Sequence, residues 1–590
     1  MTEQRTGPPG PANWGVAGAL LALVLVGGYL RLSGLAPWHL AWDEAWHLLD
    51  ALQQSPAAVL ERNLQRQVHG PVGYLLWYGA AQLTTSPFLL RFSSLVPGLL
   101  LIPACYLLGR LLLGRGAGIF LAVMATFSYR LVVLGQVLRP YAPLLLLITL
   151  ALVALLLYER TGRRRALVAY FALAALACLT HVSALIPISC IAGLWGLRIA
   201  RGQSAERRLL PWIALHVVLV LGSASYSYVQ LYFAGGEAAD PSSNHQAFVR
   251  HFYFFQTMFP EGPTDALRHL YDLHRLLFFA PDSPPWIGWA VILPSALGVV
   301  LLVRQSRFDV LALSASVVAG GLLLGWLHLY PFAPTRHSVY LVPFLLLPAA
   351  MSAQWVGERQ PLLLAGFGLG ATLLLFPLQP GAYRPLRVDF DTKRVDLERA
   401  FQHLATVATE RDVVVVNRVG MLYLNLEERL FERELEHVAH SPDHARYEFD
   451  RWVGAGEEEH RYRGITFWGC DRVHEWSSFL RGGLPVLKEC LRGLAVARGS
   501  TIDKLWFLVE KPDLFLVLAS TNPLAGVSGP GREELRGLAR HPFWSVLFTE
   551  RIDWFRTPTT GTFSVPWKEV EAQLGRRLEP TRGRPGARIR

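Results

Sequence analysis

The sequence predicts a polytopic α-helical membrane protein that carries a soluble α/β domain at its C-terminal end. Three observations predict it. Of its 590 residues, 52% are hydrophobic, and the mean hydropathy is +0.30. The apolar residues fall in runs of roughly twenty with few charges, the length that crosses a bilayer core. Beyond Gln379 the texture becomes charged and mixed, and stays so to Arg590. A soluble chain of this length would instead form several domains with evenly spread apolar residues.

The elements follow in chain order. Residues 1–13 form a short tail, and Trp14–Ala36 is the first span. It is longer than the apolar core of a signal peptide, and "LAPWHLAWDEA" after it is a weak cleavage site. A loop at 37–70 comes next, with the adjacent acids Asp43 and Glu44 between two tryptophans and His39 and His47 nearby. "GPVGYLLWYGAAQLT" (70–84) is apolar but short, and reads as an interfacial or partly re-entrant helix. The short loops 109–116, 159–165, 198–208 and 303–307 are rich in arginine, which places them in the cytosol. Parity then turns the chain outside at Gln136–Ala142, near Thr180–Ser183, over a longer loop at 234–285, and at "YPFAPTRH" (330–337). The last span is Pro361–Pro377. We expect about 11 spans, or 12 to 13 if the 70–84 segment crosses fully, and a C-terminal part on the outer side. The whole is then a multi-pass membrane protein.

The net charge of +11 is the arginine bias of cytoplasmic loops. A nucleic-acid binder would need a basic face interleaved with exposed aromatics. The tail at 576–590 reads as basic and disordered, or as a weak contact with anionic lipid. Asp43, Glu44, His47, His69, Arg139, Tyr141, His181, Arg336 and His337 come from distant parts of the chain, yet this topology puts all of them on the outer face. Charges near a bilayer are costly and are usually paired or functional.

Five pieces carry a resemblance: "WDEAWHLLDA" (42–51), "HGPVGYLLW" (69–77), the run 91–122, "GQVLRPYAPLLLL" (135–147) and "LACLTHVSALIPI" (176–188). In this order on a polytopic scaffold, the chain resembles membrane glycosyltransferases of the GT-C fold. The nearest group is the bacterial relatives of protein O-mannosyltransferase and of the lipid A aminoarabinose transferase (glycosyltransferase family 39-like). The likeness covers roughly 14–380. The aminoarabinose branch typically has an acidic residue followed by lysine where this chain has His69-Gly70. The loop at 234–285 is too short for the extra lectin-like domain of eukaryotic protein mannosyltransferases.

The resemblance implies an inverting glycosyltransferase that uses a sugar on a polyprenyl phosphate and a glycan, lipid or protein acceptor. One carboxylate must take the acceptor proton, and cations must receive the leaving phosphate. Asp43 matches the first acid of the motif and is the expected base. Glu44 orients the acceptor, holds a metal, or is the base instead, since adjacent helical residues point about 100° apart. Asp43 also suits the N-cap of a short helix. Arg139, Tyr141 and Arg336 are the expected phosphate-binding residues, because the guanidinium fork matches phosphate oxygens. His69, His181 and His337 are expected to line the substrate site. His39, His47, His69 and Asp43 leave a divalent metal open, without compact ligand spacing. The alternatives are a transporter or flippase of lipid-linked sugars, and a non-catalytic envelope assembly protein. Transporters favour inverted repeats and midplane charges, neither of which is visible here.

The boundaries that result are a cytosolic tail at 1–13, a transmembrane domain at 14–378, an external α/β domain at 379–575 and the basic tail. Within the external domain, 392–408 has helical periodicity, and 411–417, 464–469, 504–510 and 514–520 read as strands. Of five cysteines, Cys105, Cys178 and Cys190 lie in spans as small core residues. Cys470 and Cys490 share the external domain, where an oxidising compartment would allow a disulfide.

Overall fold

The computed structural model describes residues 11–33, 51–66, 70–84, 86–232, 263–279, 284–327 and 335–359. In the C-terminal part it describes 406–417, 458–462, 465–470, 490–495, 502–510, 555–556 and 560–566. The isolated positions 35, 44, 47, 48, 330, 332, 403, 404, 568 and 570 complete the set. Two compact units emerge. One holds residues 1–38 and 50–389; the other holds 39–49 and 390–590.

The first unit is a helical bundle. Its helices are α1 (Pro11–Ser33), α2 (Pro56–Arg66), α3 (Pro71–Leu83), α4 (Pro87–Leu90), α5 (Phe92–Leu112), α6 (Arg115–Phe127), α7 (Tyr129–Leu134) and α8 (Tyr141–Thr161). There follow α9 (Arg164–Thr180), α10 (Leu185–Ala200), α11 (Leu209–Tyr232), α12 (Pro263–Phe278), α13 (Trp289–Arg304), α14 (Phe308–Trp326) and α15 (Val342–Arg359). Among the described residues, seven helical segments are long and apolar enough to cross a membrane. These seven coincide with expected spans, while Arg115–Phe127 and Leu209–Ser225 are shorter apolar helices, α9 has 17 residues, and Pro361–Pro377 lies outside the described residues. One expected span differs in form: α6 and α7 share it, broken at Ser128, whose backbone is extended. α3 has 13 residues, about 20 Å, which is short of a bilayer core, as its sequence suggested. Pro71 opens it at a position where a missing N–H costs nothing.

Burial separates centre from rim. Of the apolar window in the α15 segment 83% is buried, and of that in α8 72%, against 17% for α1. α15 packs on α13 and α6, and α8 packs on α5 and α9. The central helices therefore exchange lipid for close-packed side chains, while α1 keeps an apolar flank of Leu21, Leu25 and Tyr29 outward.

One end of the bundle gathers the arginine-rich loops. Arg160 donates to the Leu111 carbonyl, and Arg307 donates to that of Leu112 at 2.7 Å. Ser204 donates to Glu159 at 2.5 Å. Arg198 lies 3.8 Å from Glu159 and 3.9 Å from Asp309. Burial opposes the charge on Glu206, but bonds from the Arg208 amide, the Tyr158 hydroxyl and the Arg207 amide hold its carboxyl below the usual range. Gly162 closes α8 with φ +65°, a left-handed turn that favours glycine. The four loops that charge assigned to one side thus meet by contact.

The second unit contains a six-stranded sheet in the order β2-β3-β1-β4-β6-β5. Its strands are β1 (Val413–Asn417), β2 (Glu458–Tyr462), β3 (Ile465–Cys470), β4 (Lys504–Glu510), β5 (Phe555–Arg556) and β6 (Thr560–Pro566). β1 runs parallel to β3, with Val415 opposite Trp468, and parallel to β4, with Val414 opposite Trp506. β2, β6 and β5 complete the edges antiparallel. Val413, Val414 and Val415 in β1 are buried, as expected for a strand covered on both faces. Asp412 anchors its start, accepting from the amides of Thr409 (2.9 Å) and Lys504 (3.1 Å) and from the Trp506 indole (3.2 Å). β1, β3 and β4 were legible in sequence; β2 and β6 were not. The expected strand at 514–520 and most of the helix at 392–408 lie outside the described residues. Cys490 is disulfide-bonded; the Cys470 side chain lies outside the described residues. Cys105, Cys178 and Cys190 are free.

Candidate active site at the end of the bundle opposite the arginine loops

The site is assembled from three turns. The first, 135–140, links α7 to α8 and carries Arg139. Ser94 in α5 clamps it from both sides: its hydroxyl donates to the Arg139 carbonyl at 3.1 Å and accepts from the Arg139 amide at 3.3 Å. Pro140 then starts α8, so that Tyr141 is its first residue. The second turn follows α9. His181 ends the helix, and a 3-10 turn at Val182–Ala184 reverses the chain. The third is the 3-10 turn Arg336–Leu341 that leads into α15.

These turns converge. The Tyr141 ring lies 5.2 Å from that of His181 and 6.3 Å from that of His337, centroid to centroid. Tyr330 sits 6.5 Å from each of the two histidines, and its hydroxyl donates to the His337 carbonyl at 3.2 Å. Tyr141, His181 and Arg139 are buried at 0%, 1% and 4% exposure, and Arg336 and His337 are half-buried. Gly70, just before α3, reaches the same place. A side chain at Gly70 would run into the Leu179 carbonyl, and one at Gly73 would touch Pro140 at 3.4 Å. Only glycine lets the start of α3 lie against the end of α9. α12 packs on α7, bringing the later part of the 234–285 loop to this end.

The electrostatics follow from burial. His181 Nδ1 accepts from the Ser183 amide at 3.2 Å and lies 2.8 Å from the Ser183 hydroxyl, which assigns the ring proton to Nε2. Burial, then the charges of Arg139 and Arg336, push the imidazole down to about 3. His181 is therefore neutral and offers a hydrogen bond rather than a charge. Burial, then Tyr141 and Tyr340, raise the Tyr330 phenol well above its usual value, so it too is a neutral donor. Arg139 and Arg336 bring positive charge to this cluster.

Of the residues singled out in sequence, Arg139, Tyr141, His181, Arg336 and His337 belong to this cluster. Glu44 and His47 are in the second unit, buried at 1% and 7% exposure. Asp43 and His69 lie outside the described residues. Sequence reasoning missed Ser94, Ser183 and Tyr330. Only Tyr330 carried a signal, as the first residue of the "YPFAPTRH" turn. It also missed Arg91, wholly buried just before α5 and one turn from Ser94. Among the described residues no group of three or more His, Cys, Asp or Glu is placed to hold a metal ion.

No protein-family model matches the chain, and no curated protein matches it in sequence. Its structure is similar to solved membrane glycosyltransferases. The Saccharomyces cerevisiae protein O-mannosyltransferase Pmt1-Pmt2 complex, bound to the sugar donor, matches at 18% identity over 38% of this chain and 35% of that chain, with a TM-score of 0.31. The match thus spans about a third of the yeast chain. The Archaeoglobus fulgidus oligosaccharyltransferase, in complex with Zn and sulfate, matches at 12% identity over 86% of this chain and 70% of that one, with a TM-score of 0.47. ArnT from Cupriavidus metallidurans, bound to undecaprenyl phosphate, matches at 11% identity over 94% and 98%, with a TM-score of 0.36. All three are enzymes of the GT-C fold, the group that the sequence motifs resemble.

Proposed function

We propose that the chain is an inverting glycosyltransferase that moves a sugar from a polyprenyl-phosphate donor to an acceptor hydroxyl, on the outer face of a bacterial cytoplasmic membrane. The supporting observation is the convergence of Arg139, Tyr141, His181, Arg336 and His337 at the bundle end opposite the arginine loops. Two guanidinium groups beside neutral hydrogen-bond donors, in a water-poor setting, make an anion receptor.

In the proposed reaction the acceptor oxygen attacks the anomeric carbon. Its proton passes to the Asp43 carboxylate, with Glu44 orienting the acceptor. The bond from the anomeric carbon to the phosphate oxygen breaks, and the electron pair leaves with the lipid phosphate. Arg139 and Arg336 take up that charge, Tyr141 donates to it, and His69, His181 and His337 hold the sugar. A divalent ion near Asp43 remains compatible with this scheme. The N-terminal tail is cytosolic in this reading, and the domain at 379–575 is external and positions the acceptor.

The test is transfer from a radiolabelled polyprenyl-phosphate sugar by purified full-length protein. Asp43→Asn should lower transfer about 100- to 10,000-fold while lipid binding persists. Undiminished transfer would remove the base assignment. A wild type that moves no sugar but flips the lipid would replace the enzyme reading with a transporter.

A further inference from the structure

Arg31 stands inside the first span, where a charge is expensive and calls for a function. Its side chain is wholly buried. The guanidinium donates to the Gly27 carbonyl at 3.1 Å, one turn back in α1, and to the Ala125 carbonyl at 3.0 Å. A longer contact, 3.5 Å, reaches the Leu131 carbonyl. Ala125 is in the last turn of α6, and Leu131 is in α7, so Arg31 bridges the break at Ser128. Carbonyls in a last helical turn lack helical partners, and the negative end of the helix dipole favours a cation there.

The stem of Arg31 reaches this position through a gap that glycines leave open. A Cβ on Gly135 would lie 2.9 Å from Arg31 Nε, and one on Gly98 would lie 3.2 Å from it. The neighbouring residue repeats the tie: Gln136 Nε2 donates to the Leu30 carbonyl at 3.0 Å. The 135–140 turn therefore hangs from α1 at its start and from Ser94 at its end, where Arg139 is the residue held.

We propose that Arg31 is a positioning residue: by tying α1 to both sides of the α6–α7 break, through the Gly98–Gly135 gap, it sets the turn that presents Arg139 to the donor phosphate. The proposal rests on the donor reading for what Arg139 binds, but not for how Arg139 is held.

The experiment uses full-length protein in detergent and undecaprenyl phosphate as the probe. Arg31→Met and Arg139→Gln should each weaken binding about tenfold or more, and the double variant should bind no more weakly than Arg139→Gln alone. Arg31→Lys, which keeps a donor, should recover part of the loss. Binding by Arg31→Met equal to wild type, measured below its melting temperature, overturns the proposal. If wild type binds no undecaprenyl phosphate, the donor reading fails, and a thermal cycle judges the positioning claim. Gly135→Ala should lower the melting temperature in the wild-type background, where it meets Arg31, but not on top of Arg31→Ala, which removes the stem. Additive effects would overturn the proposal.

Discussion

At the residue scale, burial and neighbouring charge decide what each side chain can offer. His181 is a histidine whose position in a turn suggests a switchable cation, yet its surroundings hold it neutral. Its folded value of about 3 lies below the roughly 6.5 of an exposed imidazole. The native state thus binds fewer protons than the unfolded chain below that value. Its contribution to stability is complete above about pH 6.5 and is lost as pH falls towards 3. Melting temperature against pH should fall across this window in wild type, and the fall should be shallower in His181→Asn, which keeps an acceptor for the Ser183 amide. A curve identical in both proteins would show that the imidazole titrates normally. Arg139 makes the opposite case. Its worth lies in shape, and Arg139→Lys should bind lipid phosphate more weakly, since the ammonium lacks the planar fork.

Elements act by fixing where these side chains stand. The turn from α9 to α10 is pressed by Gly70, so Gly70→Ala forces the Leu179 carbonyl away. This should cost about 1–3 kcal/mol, read as a lower melting temperature together with weaker donor binding. In the second unit, Asp412 ties the start of β1 to β4 by the Lys504 amide and the Trp506 indole. Asp412→Ala leaves buried donors without an acceptor, at about 1–3 kcal/mol. Protease should then cut the C-terminal unit sooner, with donor binding by the bundle unchanged. Equal protease resistance would mean that β1 is held by its valines alone.

For the whole molecule, the two ends of the bundle differ in how they hold charge. At one end arginines are exposed and paired across loops; at the other Arg139 is buried and Arg336 half-buried beside aromatic rings. A cysteine placed at Arg163, in the arginine-rich end, should react with an impermeant maleimide only after cells are opened. One placed at Arg268 in α12, whose native side chain is 82% exposed, should react in intact cells. Labelling of both from the same side would overturn the proposed orientation.

The sequence by itself determined where seven long apolar spans lie, that the arginine loops gather together, and the buried strands β1, β3 and β4. The physical reason is that hydrophobic length and charge bias act locally and leave a linear record. It also marked Arg139, Tyr141, His181, Arg336 and His337, because polar residues at span ends are rare enough to notice. It did not reveal Ser94, Tyr330 or Arg31, nor that the span expected between the 109–116 loop and the Gln136–Ala142 turn is broken at Ser128. Those depend on which carbonyl, ring or glycine gap arrives from a helix far away in the chain. β2 and β6 escaped for a related reason: "EEHRY" and "TGTFSVP" have weak patterns alone and become strands by pairing with β3 and β4. Tertiary structure decided the partners, since a buried donor or acceptor is stable only where a matching group has been brought to meet it.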